Sequence, residues 1–297
     1  MIQRPTPPDI VSDIVIIGAG VTGITASMIL VENGIKVTLL GSPYESQLAK
    51  AGELFNTDLP SGTIGLKFME DLIERAKTKG VNHYQTNCVK ITESEKFEVL
   101  GKNRQKYVSK KILIATGAKQ TKLNFEGEDK YSRKGISDCA VCDFPLYRNG
   151  PLAVIGNHKY TIRAANFLSQ HTDTVYLLWL NPDITNSLIG KVKVYVNVSD
   201  ISVDGDEFLK EIKFTSENQV HNLNIDALFV EGKPVPATDF LDEFSLEMDG
   251  KHIIINEKFE TNRTNVWAAG DVTKHGGSYQ LAYEAGQQVS NIILQSL

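Results

Sequence analysis

The stretch Asp13-Ile-Val-Ile-Ile-Gly18-Ala-Gly20-Val-Thr-Gly23 decides the fold of this 297-residue chain. Its four consecutive apolar residues predict a strand that is buried on both faces. The glycines after it predict a tight turn into an apolar helix that ends near Asn33-Gly34. A second strand is predicted at Lys36-Val-Thr-Leu-Leu40. Strand, turn, helix and strand in this order form a parallel βαβ unit.

The three glycines follow the spacing of a dinucleotide-binding turn. In that turn the first glycine allows a tight bend, the second lets the backbone approach a pyrophosphate, and the third lets the helix pack on the strand. The helix N-terminus then attracts the anion. An acid usually follows the second strand and binds the ribose, whereas Leu40 is followed here by Gly41. We therefore expect Glu45, or backbone groups of Gly41 and Ser42, to contact the ribose.

The same pattern returns further along the chain. Leu152-Ala-Val-Ile155 precedes Gly156, a helix is predicted over 160–170, and Thr174-Val-Tyr-Leu-Leu178 predicts the next strand. The displacement from Gly18 to Gly156 is 138 residues. We therefore expect a second βαβ unit.

Two further strands run into glycine turns, at Lys111-Ile-Leu-Ile-Ala-Thr-Gly117 and at Val266-Trp-Ala-Ala-Gly-Asp271. The other predicted elements are helices over 64–79 and 280–295 and an antiparallel meander over 89–92, 97–100 and 106–108. Together these predict an α/β fold of two nucleotide-binding, Rossmann-like βαβ domains, each of three layers, with the second inserted into the first. The predicted boundaries are 1–117 with 244–297 for the first domain and 118–243 for the second.

Composition excludes several classes of protein. The chain is 41% hydrophobic and 23% charged, which is ordinary for a globular protein and excludes collagen-like and disordered chains. It has 31 basic and 36 acidic residues, a net charge of −5, and no basic block, so we expect no nucleic-acid partner. No apolar run is long enough for a membrane span, and Met1–Ile10 lacks an apolar signal core. We expect a cytoplasmic protein.

Two of the three cysteines form a C-x-x-C motif, Cys139-Ala-Val-Cys142, followed directly by Asp143. In a reducing cytosol this spacing indicates redox or metal chemistry more often than a structural disulfide. Zinc would need two further ligands, and there is no second C-x-x-C motif, so we expect no metal site. A carboxylate beside the pair can move protons, which favours a redox-active pair over unreactive buried thiols. Cys88 is interpreted as a core residue.

These elements together resemble the low-molecular-weight thioredoxin reductases, in order and in spacing, over nearly the whole chain. The resemblance rests on the following motifs: Gly18-x-Gly20-x-x-Gly23, Gln47-Leu48, Asn56, Ala115-Thr116-Gly117, Gly135-Ile-Ser-Asp-Cys139-Ala-Val-Cys142-Asp143 and Ala268-Ala-Gly-Asp271-Val. The C-A-x-C-D run is the most specific of them.

The resemblance implies that the first domain binds FAD. It implies that Asp271 holds the ribityl chain and that Gln280 and Leu281 approach the isoalloxazine ring. The candidate FAD-binding residues are Gly18, Gly20, Gly23, Gly41, Ser42, Glu45, Gln47, Leu48, Asn56, Val89, Ala115, Thr116, Gly117, Gly270, Asp271, Gln280 and Leu281.

The resemblance also assigns roles to the C-x-x-C-D run. Cys142 would lie against the flavin and exchange electrons with it, and Cys139 would attack the disulfide of a thioredoxin-like protein. Asp143 would protonate the leaving thiolate, which agrees with the need for proton transfer in thiol–disulfide exchange. The family also implies a homodimer.

The second domain departs from the family, which has a second glycine loop there for NADPH. Only the first glycine remains in Gly156-Asn-His158-Lys-Tyr-Thr161, and a side chain at His158 should obstruct a pyrophosphate. The family's His-Arg-Arg clamp for the 2′-phosphate is replaced by Trp179-Leu-Asn181. Two charge-assisted contacts to a phosphate are thereby lost, each worth about 1.5–3 kcal/mol. The sequence therefore disfavours NADP(H).

The leading hypothesis is an FAD-dependent disulfide reductase of the thioredoxin reductase type whose electron donor is not NADPH, with a ferredoxin-type protein among the candidate donors. Three alternatives stay open. They are a conventional NADPH-dependent thioredoxin reductase, a dithiol oxidase that uses oxygen, and a non-catalytic flavin redox sensor.

Overall fold

A computed structural model describes residues 8–51, 54, 59–60, 62–147, 150–184, 188 and 191–296, without the side chains of Ala51, Val141 and Cys142. The helices are α1 Val21–Glu32, α2 Gly65–Thr78, α3 Ala140–Asp143, α4 Lys159–Ser169 and α5 Tyr279–Gln295. The strands are β1 Ile10–Val11, β2 Ile14–Ile17, β3 Val37–Leu40, β4 Asn82–Tyr84, β5 Cys88–Glu93, β6 Phe97–Gly101, β7 Lys106–Ser109, β8 Lys111–Ile114, β9 Ala118–Gln120, β10 Ile136–Ser137, β11 Leu152–Gly156, β12 Val175–Trp179, β13 Val192–Tyr195, β14 Ser199–Gly205, β15 Leu209–Ser216, β16 Gln219–Asn224, β17 Ala227–Glu231, β18 Pro234–Pro236, β19 Met248–Asp249, β20 His252–Ile253 and β21 Val266–Ala268.

The chain folds into two compact units. The first runs to Lys119 and resumes at Val235, and the second spans Gln120–Pro234. The second crossing lies earlier than the expected position near residue 243, because the segment after Val235 packs into the first unit. Leu241 and Phe244 are buried in a hydrophobic core of that unit.

The first unit is built on a parallel sheet in the order β21-β8-β2-β3-β4. Successive side chains of a strand point to opposite faces, and β2 shows this directly. Ile14 and Ile16 pack in the core that holds α1, α2 and α5, whereas Val15 and Ile17 pack in a second core. That second core includes Val99 of the four-stranded sheet β1-β7-β6-β5. The unit therefore has three layers, as the sequence predicts.

The second unit repeats this plan. Its parallel sheet has the order β10-β17-β11-β12-β13. Val154 of β11 faces the core beneath α3 and α4, and its neighbour Ile155 faces the core shared with the meander β14-β15-β16. The sequence left this meander and the edge strand β13 unpredicted.

Parallel sheets place the carboxyl ends of their strands at one edge, and ligands of such folds bind there. The sequence-predicted glycine turns follow β2, β3, β8 and β21 in the first unit and β11 in the second. No helix in the described part of the chain is long and apolar enough to cross a membrane.

Candidate functional site

Two of the three glycines in the first glycine loop are required by close packing. At Gly18, whose φ is +118°, a Cβ atom would lie 2.1 Å from the carbonyl oxygen of Ala115. At Gly23 a Cβ atom would lie 1.9 Å from the carbonyl oxygen of Gly18. Any larger residue at these two positions would push α1 and the loop after β8 away from β2.

Gly20 differs from its two neighbours because nothing lies within 4 Å of the position of its Cβ atom. It is the N-cap residue of α1, with an ordinary φ of −83°, and no side chain caps the helix. The fold itself therefore does not require a glycine here. An open space in front of uncapped amide groups fits a pyrophosphate, which the backbone of a dinucleotide-binding turn approaches closely.

The turn after β3 contains the residues expected at the ribose. Gly41 uses both of its backbone groups within the protein, since its N–H donates to Tyr84 O (3.2 Å) and its carbonyl oxygen lies 2.8 Å from His83 Nε2. Ser42 and Glu45 remain as candidates from this turn. The Ser42 Oγ atom accepts a long hydrogen bond from Gln85 (3.4 Å), and the Glu45 side chain is exposed.

The turn after β8 is held by side-chain hydrogen bonds. Thr116 Oγ1 donates to Ala237 O (2.8 Å), and Gln47 Nε2 donates to Ala118 O (3.1 Å). Between these anchors Gly117 has a φ of +66° and open space at its Cβ position. This turn therefore has a fixed backbone with an open surface. Of the other candidates, Leu48 packs against the core of the first unit and Val89 is exposed on β5.

The turn after β21 leads into α5. A Cβ atom at Gly270 would lie 2.6 Å from Thr22 Oγ1 of α1, so this turn and the first glycine loop are adjacent. Asp271 Oδ1 accepts the N–H of Gly277 (2.7 Å), and its second carboxylate oxygen has no protein hydrogen bond in the described region. One Asp271 oxygen is therefore fixed by the Gly277 amide, and the other can accept hydrogen bonds from the hydroxyl groups of a ligand.

The start of α5 holds the last two candidates. Ser278 Oγ accepts the N–H of Leu281 (3.2 Å) and caps the helix. The Leu281 side chain is exposed, and the Gln280 amide donates to Glu284 (2.7 Å). The first unit thus brings its described candidates to turns at one edge of the sheet and to the adjoining helix start, apart from Val89 on β5. Asn56 lies outside the described residues.

The C-x-x-C-D run lies in the second unit, directly after β10. Cys139 is disulfide-bonded and only 5% exposed. Cys142 belongs to α3, and its side chain lies outside the described part of the structure. The N–H of Asp143 donates to Cys139 O (3.2 Å), which closes the single turn of α3. No group of three metal-ligating side chains occurs among the residues that the structure describes.

The sequence analysis assigned no role to two neighbours of the two cysteines and Asp143. Ser137 is buried, and its hydroxyl bonds the backbone of Cys139. Burial and the charge of Asp143 raise the pKa of Tyr147, which is hydrogen-bonded to the backbone of Gly135. Their closeness in sequence to the C-x-x-C-D run was the available signal, but their side-chain directions are tertiary information.

Cys88 lies in a different environment from the C-x-x-C pair. It is a free thiol at the start of β5, and burial raises its pKa to about 12. The thiolate is the reactive form of cysteine, so this side chain is protected at neutral pH. Its interpretation as a core residue agrees with this protection.

We predict that iodoacetamide at pH 8 will leave Cys88 unlabelled in the folded protein. The thiol stays protonated until the pH approaches its raised pKa, so labelling should begin only in strong alkali or after unfolding. Peptide mass spectrometry measures the extent of labelling, and protein unfolded in guanidinium is the positive control. Rapid labelling of folded protein at pH 8 would contradict the burial of Cys88.

The glycine loop of the second unit keeps the first close contact and loses the open space. A Cβ atom at Gly156 would lie 2.3 Å from the carbonyl oxygen of Glu231, as one at Gly18 would lie against Ala115. His158 takes the N-cap place that Gly20 has in the first unit. Its N–H donates to Thr161 Oγ1 (3.2 Å), so an amide that could face a phosphate is already bonded within the loop.

Glu231 places a carboxylate where the first unit has the methyl group of Ala115. The side chain is 6% exposed, and one of its oxygens accepts a hydrogen bond from Gln120 Nε2 (2.8 Å). A longer, polar side chain therefore replaces the Ala115 methyl group on the strand that pairs with Gly156. In the sequence, Glu231 follows an apolar strand and precedes Gly232, and Ala115 follows the apolar strand that ends at Ile114 in the first unit. This correspondence was the signal that could have identified Glu231.

Positive charges surround the same loop from outside. Burial lowers the pKa of His158, and the charges of Lys159, Lys233 and Arg163 lower it further. His158 is therefore neutral at pH 7. Lys159 and Arg163 each lie 5.4 Å from the ring centre of Tyr160. These cations are exposed and can attract an anion. They do not replace the backbone amide groups that bind a pyrophosphate in a glycine loop.

The place of the family's phosphate clamp holds no arginine. Trp179 is buried, and its Nε1 atom donates to Asp183 O (2.9 Å). Asn181 accepts a long hydrogen bond from Asn157 (3.4 Å), which joins the two loops at this edge. The groups present here are uncharged and bonded to each other or to the backbone.

We predict that Gly20→Ala will weaken FAD binding at least about tenfold, or about 1.4 kcal/mol, while the apoprotein loses no more than about 1 kcal/mol of stability. The new methyl group meets no protein atom within 4 Å, so it projects into the space that a pyrophosphate would use. Flavin content after purification and the melting temperature of the apoprotein measure the two effects.

Gly23→Ala is the matched control for this prediction. Its methyl group would collide with the carbonyl oxygen of Gly18, so it should destabilise the apoprotein itself. Undiminished flavin content in Gly20→Ala would show that the open space does not face the cofactor.

Comparison with known proteins identifies a family, relatives and solved structures that this chain resembles. The family described as pyridine nucleotide-disulphide oxidoreductase matches residues 12–288. Thioredoxin reductase of Schizosaccharomyces pombe is 30% identical over 285 residues, covering 87% of this chain and 88% of its own. Among solved structures, Lactococcus lactis thioredoxin reductase has the same fold, with a TM-score of 0.85 at 22% identity over 96% of this chain and 98% of its own. A ferredoxin-flavin thioredoxin reductase of Clostridium acetobutylicum is 26% identical with a TM-score of 0.53, covering 96% of each chain.

Proposed function

The chain belongs to the pyridine nucleotide-disulphide oxidoreductases and, within them, to the thioredoxin reductase type, and we propose its function on that basis. We propose that it is an FAD-dependent reductase of a thioredoxin-like protein and that its electron donor is not NADPH. We assign FAD to the first unit and a disulfide-carrying role to the second. The observation that carries the proposal is the contrast between the open, uncapped loop at Gly20 and the internally bonded loop at His158.

FAD bound to the first unit would supply two-electron chemistry to the disulfide. The backbone of the first glycine loop would hold its pyrophosphate, and the Asp271 carboxylate would accept hydrogen bonds from its ribityl hydroxyls. Ser42 and Glu45 would contact the ribose. Each of these residues has the room or the acceptor for that role, as described above.

The C-x-x-C pair would carry the electrons to the partner protein. In the dithiol state the Cys139 thiolate attacks one sulfur of the partner's disulfide, and the partner's other sulfur leaves as a thiolate. Asp143 protonates that leaving thiolate. The Cys142 thiolate then attacks the Cys139 sulfur, which restores the enzyme disulfide and releases the partner as a dithiol. Cys139 is buried in the disulfide state, so we propose that this attack follows its exposure.

The donor assignment rests on the second unit. A pyrophosphate there would find the His158 amide already bonded to Thr161, and Gly156 is paired with Glu231 where the first unit has Ala115 beside Gly18. The name of the Clostridium acetobutylicum relative includes ferredoxin, and we propose that a protein of that type is the electron donor for this chain. From the family resemblance we further propose a homodimer that acts in the cytoplasm.

Anaerobic titration of the FAD-loaded protein tests the donor. We expect NADPH and NADH to leave the visible flavin absorbance unchanged and dithionite to bleach it, because neither nucleotide finds a pyrophosphate cradle in the second unit. Reduced ferredoxin should bleach the flavin as dithionite does. Rapid bleaching by NADPH would instead make this a conventional NADPH-dependent reductase.

We predict that Cys142→Ser will retain FAD and lose disulfide reduction, to about 1% of normal turnover or less, because a dithiol cannot form without the second sulfur. The assay follows reduction of a thioredoxin with dithionite-reduced enzyme. Cys88→Ser is the matched control and should turn over normally, since that thiol belongs to the first unit and burial raises its pKa. Normal turnover in Cys142→Ser would overturn the assignment.

The same preparations separate the two remaining alternatives. Hydrogen peroxide formed from small dithiols in air would indicate a dithiol oxidase. A flavin that is reduced normally but passes no electrons to any protein disulfide would indicate a redox sensor.

A further inference from the structure

Ser137 forms an unusual pair of contacts with the disulfide-bonded residue two positions later. Its Oγ atom accepts the N–H of Cys139 at 3.0 Å and lies 3.3 Å from the Cys139 carbonyl oxygen, to which the hydroxyl donates. One hydroxyl group therefore binds both peptide groups that flank the Cys139 Cα atom. The Ser137 side chain is 8% exposed, so water competes little for these bonds.

The position of Ser137 is itself fixed by the sheet. It ends β10 and lies beside Phe229 of β17 in parallel register. Just before β10, the carbonyl oxygen of Gly135 accepts the N–H of Leu228 (2.8 Å). The hydroxyl thus connects a rigid strand end to Cys139.

The carbonyl oxygen of Cys139 accepts a second hydrogen bond, from the N–H of Asp143 (3.2 Å). A continuous set of bonds therefore runs from the Ser137 hydroxyl through the Cys139 backbone to the backbone of the residue to which we assign proton transfer. Hydrogen bonds therefore hold together the end of β10, the Cys139 backbone and the Asp143 backbone.

A C-x-x-C disulfide closes readily only when the two Cα atoms are kept within the narrow range that the bond requires. Once the disulfide is reduced, the covalent restraint on Cys139 disappears, whereas the Ser137 bonds depend only on backbone groups that reduction leaves in place. If the Cys139 backbone stays in the position that closes the ring, the attack by the second thiolate is already oriented. Pre-orientation favours the disulfide and makes the dithiol the stronger reductant.

We propose that Ser137 is a positioning residue that holds the Cys139 backbone in the ring-closing position in both redox states and so lowers the reduction potential of the C-x-x-C pair. The inference rests on the proposed function, in which this pair reduces a protein disulfide. The step concerned is the attack of one thiolate on the Cys139 sulfur, in which a sulfur–sulfur bond forms within the enzyme and the mixed disulfide with the partner breaks.

The test is equilibration of the FAD-loaded protein with dithiothreitol redox buffers, followed by acid quenching and mass-spectrometric counting of free thiols in the Cys139 peptide. For Ser137→Ala we expect the equilibrium constant for closing the disulfide to fall about tenfold, which is about 30 mV toward a more positive potential. Ser137→Thr keeps the hydroxyl and should stay within about twofold of the native protein.

Ser216→Ala is the matched control for general destabilisation. Ser216 belongs to the same unit, is buried, and donates its hydroxyl to Val196 O (2.7 Å) far from the cysteines in sequence. It should lower the melting temperature without moving the potential. An equal shift in Ser216→Ala, or none in Ser137→Ala, would overturn the proposal.

Ser137→Thr and Ser137→Val form a second pair for use if Ser137→Ala does not fold. Threonine and valine have nearly the same shape and differ in the hydroxyl, and both suit a strand. The valine variant should reproduce the positive shift and the threonine variant should not; equal potentials in the two would overturn the proposal. The reduction potential is measured without an electron donor or a partner protein. The result for the Ser137 variants is therefore independent of the turnover of Cys142→Ser, and either proposal can fail while the other holds.

Discussion

A carbonyl oxygen from a neighbouring strand's loop lies against the first glycine of each βαβ unit, and this close approach fixes the geometry of both sites. A Cβ atom would stand 2.1 Å from Ala115 O at Gly18 and 2.3 Å from Glu231 O at Gly156. Any side chain at either position would separate two adjacent strands at their carboxyl ends. The first glycine is therefore a requirement of the fold, whether or not a ligand binds.

The second and third glycines carry different information. Gly20 has open space, and its place is taken by His158 in the second unit; Gly23 has no space, and its place is taken by Thr161. Threonine is accommodated because its hydroxyl bonds the His158 amide. The presence of the first glycine alone therefore does not indicate nucleotide binding. Replacement of the second glycine, which has open space, bears directly on whether a ligand can approach the loop.

Local patterns made most of the first unit predictable, because β2, α1 and β3 follow from runs of apolar residues and the glycine turn. The meander over 199–224 was left unpredicted, and the crossing after Pro234 was placed too late, because burial of Leu241 and Phe244 in the first unit is a long-range effect. At the sites, motif residues could be identified in advance. Glu231 was missed, because its position beside a loop 75 residues earlier in the chain is set by strand pairing.

The altered loop of the second unit also supports the redox segment. Phe144, directly after Asp143, is buried and packs edge-on against Phe167 of α4 with ring centres 5.8 Å apart. The disulfide-carrying segment therefore packs against α4. In a nucleotide-binding unit the ligand helps to satisfy the amides of that turn, and here Thr161 does so internally, a cap of a kind worth about 1 kcal/mol. The internal hydrogen bond thus supports the start of the helix against which the redox segment packs, without a ligand at this loop.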